Sequence, residues 1–128
     1  MKENQYFKES EFYCKCGKCS MPQGTPPDEL IDLLVQIREH YGKPITINSG
    51  YRCPTHNAKV GGAKSSRHCV GDAADFVVKG VKTADVHKYC LEQWPNEHGI
   101  AIKHNFSNEY AGFVHLDVRG KKARWTYN

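Results

Sequence analysis

Ser66-Arg67-His68-Cys69-Val70-Gly71-Asp72-Ala73-Ala74-Asp75, followed by Phe76-Val77-Val78, is the stretch that decides how this chain folds. The run from Ala73 to Val78 reads as a buried strand, apolar and rich in β-branched residues at its end. His68 then lies on the loop that enters the strand, and Asp75 lies on the strand itself. Gly71 lets the backbone turn sharply enough to bring the two side chains together. An imidazole and a carboxylate converging on one point are two of the three protein ligands of a catalytic zinc.

A third ligand occurs in a matching context. Gly112-Phe113-Val114-His115-Leu116-Asp117-Val118-Arg119 alternates with a period of two. Phe113, His115 and Asp117 share one face, and Val114, Leu116 and Val118 share the other. The aliphatic face packs on a core, and the other carries His115 and Asp117 into a cleft. His68, Asp75 and His115 make a two-histidine, one-carboxylate set with a fourth position for water. That is the pattern of a hydrolytic zinc, not a structural one. A buried His–Asp hydrogen bond without metal would explain any one of these residues alone. The three together favour a metal.

Both motifs together resemble the zinc D-alanyl-D-alanine carboxypeptidase family. That family includes phage endolysin L-alanyl-D-glutamate peptidases and is related in fold to the signalling domain of hedgehog proteins. Its Ser-x-His-x-x-Gly-x-Ala-x-Asp signature is met by Ser66, His68, Gly71, Ala73 and Asp75. Its histidine strand is met by Phe113 to Asp117. Ser49-Gly50-Tyr51-Arg52-Cys53-Pro54 looks like its substrate-side arginine turn, continued by Asn57 and Gly61-Gly62. The likeness covers residues 28 to 125. It implies a zinc metallopeptidase, a hydrolase cutting an amide bond in the peptide stem of bacterial cell-wall peptidoglycan. The D-Ala-D-Ala and L-Ala-D-Glu bonds both fit. It also implies that Arg52 and Ser66 face the substrate, with Arg52 steadying the carbonyl oxygen.

One position departs from the family. Several members carry a catalytic glutamate three residues before the last zinc histidine, and here that residue is Gly112. Asp117 and Glu109 are the remaining candidates for the general base. Asp117 is preferred because it shares a strand face with His115. Two other classes of function stay open on this ground. One is a non-catalytic, zinc-containing cell-wall-binding module. The other is a part of a phage tail that uses the domain to grip the wall.

The rest of the chain agrees with one compact domain over its 128 residues, an N-terminal cysteine-containing segment (1–25) and a catalytic core (26–128). A mean hydropathy of −0.67 excludes a membrane protein, as no apolar run nears the ~20 residues of a spanning helix. The first residues lack the apolar stretch of a signal peptide. The expectation is a protein made in the cytoplasm and released to the wall by a phage holin or a similar device. The net charge of +4 suits an anionic wall but is too diffuse for nucleic acid. A monomer is expected.

Leu30, Leu33, Leu34, Ile37 and Tyr41 repeat at helical spacing behind a cap-type Asp28, and Gly42 with Pro44 stops the helix. Ile45 to Ile47 is a short strand, and Pro54 to Lys59 a short helix closed by Gly61-Gly62. Thr83 caps a second long helix that Pro95 ends. Gly99 to Ile102 is another strand. This order predicts an α+β fold with helices packed on one face of a small, mainly antiparallel sheet.

Six cysteines complete the inventory. Cys14, Cys16 and Cys19 crowd into six residues, and Cys16-x-x-Cys19 has zinc-knuckle spacing. They read as a structural zinc site joined by Cys53, or as reduced thiols, or as disulfides after export. With only three clustered thiols, one zinc per chain is expected and the second site is not. Cys90, on an apolar helix face, reads as core.

Overall fold

The computed structural model describes residues 1–16 and 26–128. A short 3-10 turn, Glu9–Phe12, precedes helix α1 (Asp28–Tyr41) and strand β1 (Ile45–Ser49). Two short helices follow, α2 (Pro54–Lys59) and α3 (Arg67–Val70), and lead into β2 (Ala73–Val78). Helix α4 (Thr83–Gln93) then connects to β3 (Gly99–Lys103), β4 (Phe113–Asp117) and β5 (Ala123–Thr126). The five strands form one sheet in the order β1-β2-β4-β3-β5. Three of the four pairings are antiparallel, and β3 with β5 is parallel. The fold is α+β, as expected.

Helix α1 forms where the sequence repeat places it. Leu30, Ile31, Leu33, Leu34 and Ile37 are buried along one stripe. Asp28 and Glu29 sit in the first turn, where the helix dipole favours acids. Asp28 is the first helical residue and not the cap; Pro27 holds that place. Gly42 ends the helix at φ 63, and its N–H bonds the Arg38 carbonyl at 2.9 Å. Thr83 is likewise the first residue of α4 and not its cap. Its hydroxyl donates instead to the Ala111 carbonyl at 2.7 Å, tying α4 to the loop before β4.

The strands divide the sheet into two chemistries. Ala74, Phe76 and Val78 of β2, Ile100 of β3, and Val114 and Leu116 of β4 join the α1 and α4 side chains in one core. The opposite face carries the polar set. Across it, Asp75 of β2 is level with His115 of β4, His115 with Ala101 of β3, and Ala101 with Trp125 of β5. A slip of one residue in β4 would send His115 into the core.

The N-terminal segment is part of this core. Phe7, Phe12 and Cys14 are buried in it with Ile47 and Tyr51. The Tyr51 N–H bonds the Phe12 carbonyl at 2.8 Å. The contact depends on Gly50, because a β-carbon there would lie 2.6 Å from Phe12 Cα and 2.7 Å from its oxygen. Both are backbone atoms and cannot swing aside. Gly50→Ala is therefore expected to cost about 1–3 kcal/mol, the range for forced overpacking. Gly120→Ala, with nothing within 4 Å of an added β-carbon, should stay within about 0.5 kcal/mol of wild type. Urea denaturation midpoints of the two variants check this, and equal midpoints would contradict it.

Candidate metal centre

His68 does not lie on a loop, as the sequence suggests, but on the one-turn helix α3. Ser66 caps that turn, its hydroxyl accepting from the His68 N–H at 3.2 Å. Gly71 closes it at φ 91, the left-handed region that glycine adopts without strain. The turn aims the imidazole back at β2. His68 Nε2 stands 3.0 Å from Asp75 Oδ1, and His115 Nδ1 stands 2.9 Å from the same oxygen. All three side chains are buried. Their ligand atoms lie within 4.8 Å of one another, the spacing of a candidate metal site.

The outer nitrogens of both imidazoles are already committed. His68 Nδ1 is 2.7 Å from the Gly50 carbonyl oxygen, which can only accept. His115 Nε2 is 2.7 Å from Asp117 Oδ2. With the outer nitrogens so occupied, the inner ones, His68 Nε2 and His115 Nδ1, are those turned toward Asp75 Oδ1. Two imidazole nitrogens and a carboxylate oxygen meeting in a buried space form a donor set that a cation can bridge. A carboxylate or carbonyl behind each ligating histidine is also the usual support of a zinc site. The donor set thus fits zinc.

Charge follows the same logic. Burial would raise the Asp75 carboxyl, but hydrogen bonds from His115 and His68 outweigh it and hold it at about 2. Burial would lower His115, yet Asp117 and Asp75 outweigh it and raise its affinity for a proton. A pocket that draws a proton onto His115 in this way also favours a metal cation.

The two expected bases stand elsewhere. Asp117 is wholly buried. Its oxygens accept from His115 and from a two-pronged Arg119 guanidinium, Nε and Nη2 each at 2.8 Å. These bonds, set against burial, hold its carboxyl well below the usual range. Gly99 across the strand pair makes room for it, since a β-carbon there would lie 2.5 Å from its Cγ. Glu109 is exposed, with Lys82 Nζ at 3.7 Å. Neither lines the cleft at the centre. Gly112 has a physical reason to be glycine. Its φ is 79, and a β-carbon would run into the Lys103 carbonyl oxygen. A glutamate cannot occupy that position on this backbone.

The cleft itself encloses about 580 Å³. Asp75 and His115 open onto it, with Arg52, Arg67, Lys103 and Arg119 around the rim and Trp125 and Tyr127 as walls. Arg52 and Ser66 line the same cleft as Asp75 and His115. Arg52 Nη2 donates to Ser66 Oγ at 3.2 Å, while its buried Nε has no protein partner. Arg119, Trp125 and Tyr127 escaped the sequence reading. The signal was present in the alternation of Trp125 with Tyr127, but β5 has only four residues and ends at Thr126, before Tyr127. Cys14, Cys16 and Cys53 bring their sulfurs together in a second cluster, whereas Cys19 lies outside the described residues. Cys90 is buried as expected, and burial pushes its thiol up to about 12.

The sequence profile of the peptidase M15 family matches residues 5–117, nearly the whole chain. The chain belongs to that family. The match takes in the N-terminal segment, which the motifs alone left outside. A 34-residue stretch is also 61% identical to the zinc D-Ala-D-Ala carboxypeptidase of Streptomyces albus G. It covers 27% of this chain and 13% of that relative.

Asp117→Asn tests what the buried carboxylate does in this family member. If it holds the His115 ring, the variant should bind zinc about 10–100-fold more weakly, the usual loss when such a partner is removed. A competition titration with a chelating dye measures this. Unchanged affinity with lost turnover would instead make Asp117 the base.

Proposed function

We propose that this chain is a zinc peptidase that hydrolyses an amide bond in the peptide stem of peptidoglycan. The observation that carries the reading is the inward convergence of His68 Nε2, Asp75 Oδ1 and His115 Nδ1 at the floor of a cationic cleft. Membership of the peptidase M15 family and the short likeness to a zinc D-Ala-D-Ala carboxypeptidase support it. A zinc ion in that set would supply a water acidified to near neutral pKa and would polarise the scissile carbonyl.

The chain's own groups do the rest. Arg52 has an unpartnered buried Nε beside the centre and serves as a donor to the carbonyl oxygen as charge develops. Ser66 holds the other end of that guanidinium and fixes its direction. Trp125 packs 4.9 Å from the His115 ring and shields it from bulk water. Burial raises the Tyr127 hydroxyl above its ordinary value, so it remains a neutral donor in the cleft. Asp117 is a positioning residue for His115, and neither it nor Glu109 is assigned the proton transfer.

The rim charges indicate the kind of bond. Arg67 and Arg119 are paired with Asp72 and Asp117, while Arg52 keeps a free Nε, and together with Lys103 it favours a substrate with a free carboxylate. In both candidate bonds the leaving nitrogen belongs to a D-residue whose α-carboxylate is free: the terminal D-Ala, or a D-Glu linked onward through its side chain. The cleft reads that shared element. A second reading has one observation behind it. Apart from Asp75, no side-chain carboxylate among the described residues lines the cleft, as a non-catalytic wall-binding module would have it.

Mass spectrometry of purified peptidoglycan treated with the zinc-loaded protein separates these outcomes. The proposal expects either free D-alanine or new N-terminal D-glutamate, and loss of the product in His115→Ala. Binding to the wall with neither product would establish the non-catalytic module.

A further inference from the structure

The second cluster of thiols is not used by anything above. Cys14, Cys16 and Cys53 come from two distant parts of the chain, and Cys14 is buried. Their sulfurs all lie within 4.8 Å of one another. Tetrahedral zinc with sulfur at about 2.3 Å sets its ligand sulfurs about 3.8 Å apart. The cluster is therefore within about 1 Å of that geometry. A disulfide would need two of the sulfurs at about 2.05 Å and would leave the third unused.

Backbone donors hold two of the sulfurs in place. The Cys53 N–H points at Cys14 Sγ at 3.4 Å, and the His56 N–H points at Cys53 Sγ at 3.4 Å.

We propose that Cys14, Cys16 and Cys53 hold a second, structural metal ion of zinc's class, separate from the His68–Asp75–His115 centre. Thiolates select such soft or borderline ions over magnesium or calcium. This revises the expectation of one metal per chain. The ion would pin the N-terminal segment to the turn that serves the first centre. Gly50, whose carbonyl holds His68, lies three residues before Cys53, and Arg52, which lines the cleft, immediately precedes it. Phe12, two residues before Cys14, is already bonded to Tyr51. The inference stands independently of whether the protein cuts peptidoglycan.

The test uses the full chain purified under reducing conditions from zinc-replete medium. Elemental analysis should find about two zinc ions per wild-type chain, about one in His115→Ala, and about one in Cys53→Ser. Cys53→Ser should also melt at a lower temperature, because a structural ion contributes folding energy directly. One zinc in the wild type, falling to none in His115→Ala, would overturn the proposal. Should Cys53→Ser not fold, His115→Ala loaded with cobalt gives the answer. The first centre contains no sulfur, so a sulfur-to-cobalt charge-transfer band can arise only from cysteine ligands. Its presence is expected. Its absence, or a mass deficit showing a disulfide among the three cysteines, would overturn the proposal equally.

Discussion

The pairing of β2 with β4 is the constraint on which the site depends. Their register sets Asp75 directly opposite His115 on the polar face of the sheet. On the other face the same register sets Ala74 level with Leu116 and Phe76 level with Val114, all fully buried. The hydrophobic cost of exposing those side chains holds the register. The candidate ligands on the strands are thus placed by apolar burial one residue away from them. Helix α3 then needs only one capped turn to bring His68 to the same point. A centre built from a paired sheet and a pinned turn is stiff, as a metal site must be to keep its geometry.

Around this point the protein spends its polar groups on orientation. Gly50 and Asp117 each hold the outer nitrogen of one imidazole. Arg119 in turn holds Asp117 and stacks over Trp125, with its guanidinium carbon 5.1 Å from the ring centre. The chain of contacts runs from the cleft wall through Arg119 and Asp117 to the ligand histidine. Every member has a partner, which is what makes a buried polar network tolerable. The oxygens of Asp117 face His115 and Arg119 and not the solvent.

Much of this was legible in the sequence, and the reasons are local. Helix α1 announces itself by five apolar residues at helical spacing, and β4 by strict alternation. The ligands stand out because histidine and aspartate are rare on strands that otherwise read as core. What escaped depends on distant partners. Strand β5 has four residues beside a Lys121-Lys122 pair, and it exists because it pairs in parallel with β3. Arg124 helps to hold it there, bonding the carbonyls of Trp94, Glu97 and His98 across the sheet edge. The surroundings of Asp117 were not legible, because sharing a face with His115 does not reveal which way the carboxylate turns. That is decided by Arg119 two residues on and by the gap at Gly99. The meeting of Cys14 with Cys53 joins positions 39 residues apart; the sequence offered it as one reading of the cysteines, and no spacing rule selects it.

The account's central claim is that three inward-facing atoms hold a metal ion at the cleft floor. Anomalous diffraction at the zinc absorption edge, from crystals of the zinc-replete protein, tests it most directly. The predicted result is a peak between His68 Nε2, Asp75 Oδ1 and His115 Nδ1, with metal–nitrogen distances of about 2.0–2.1 Å. A map with no peak there, and the three side chains joined only by hydrogen bonds, would contradict it.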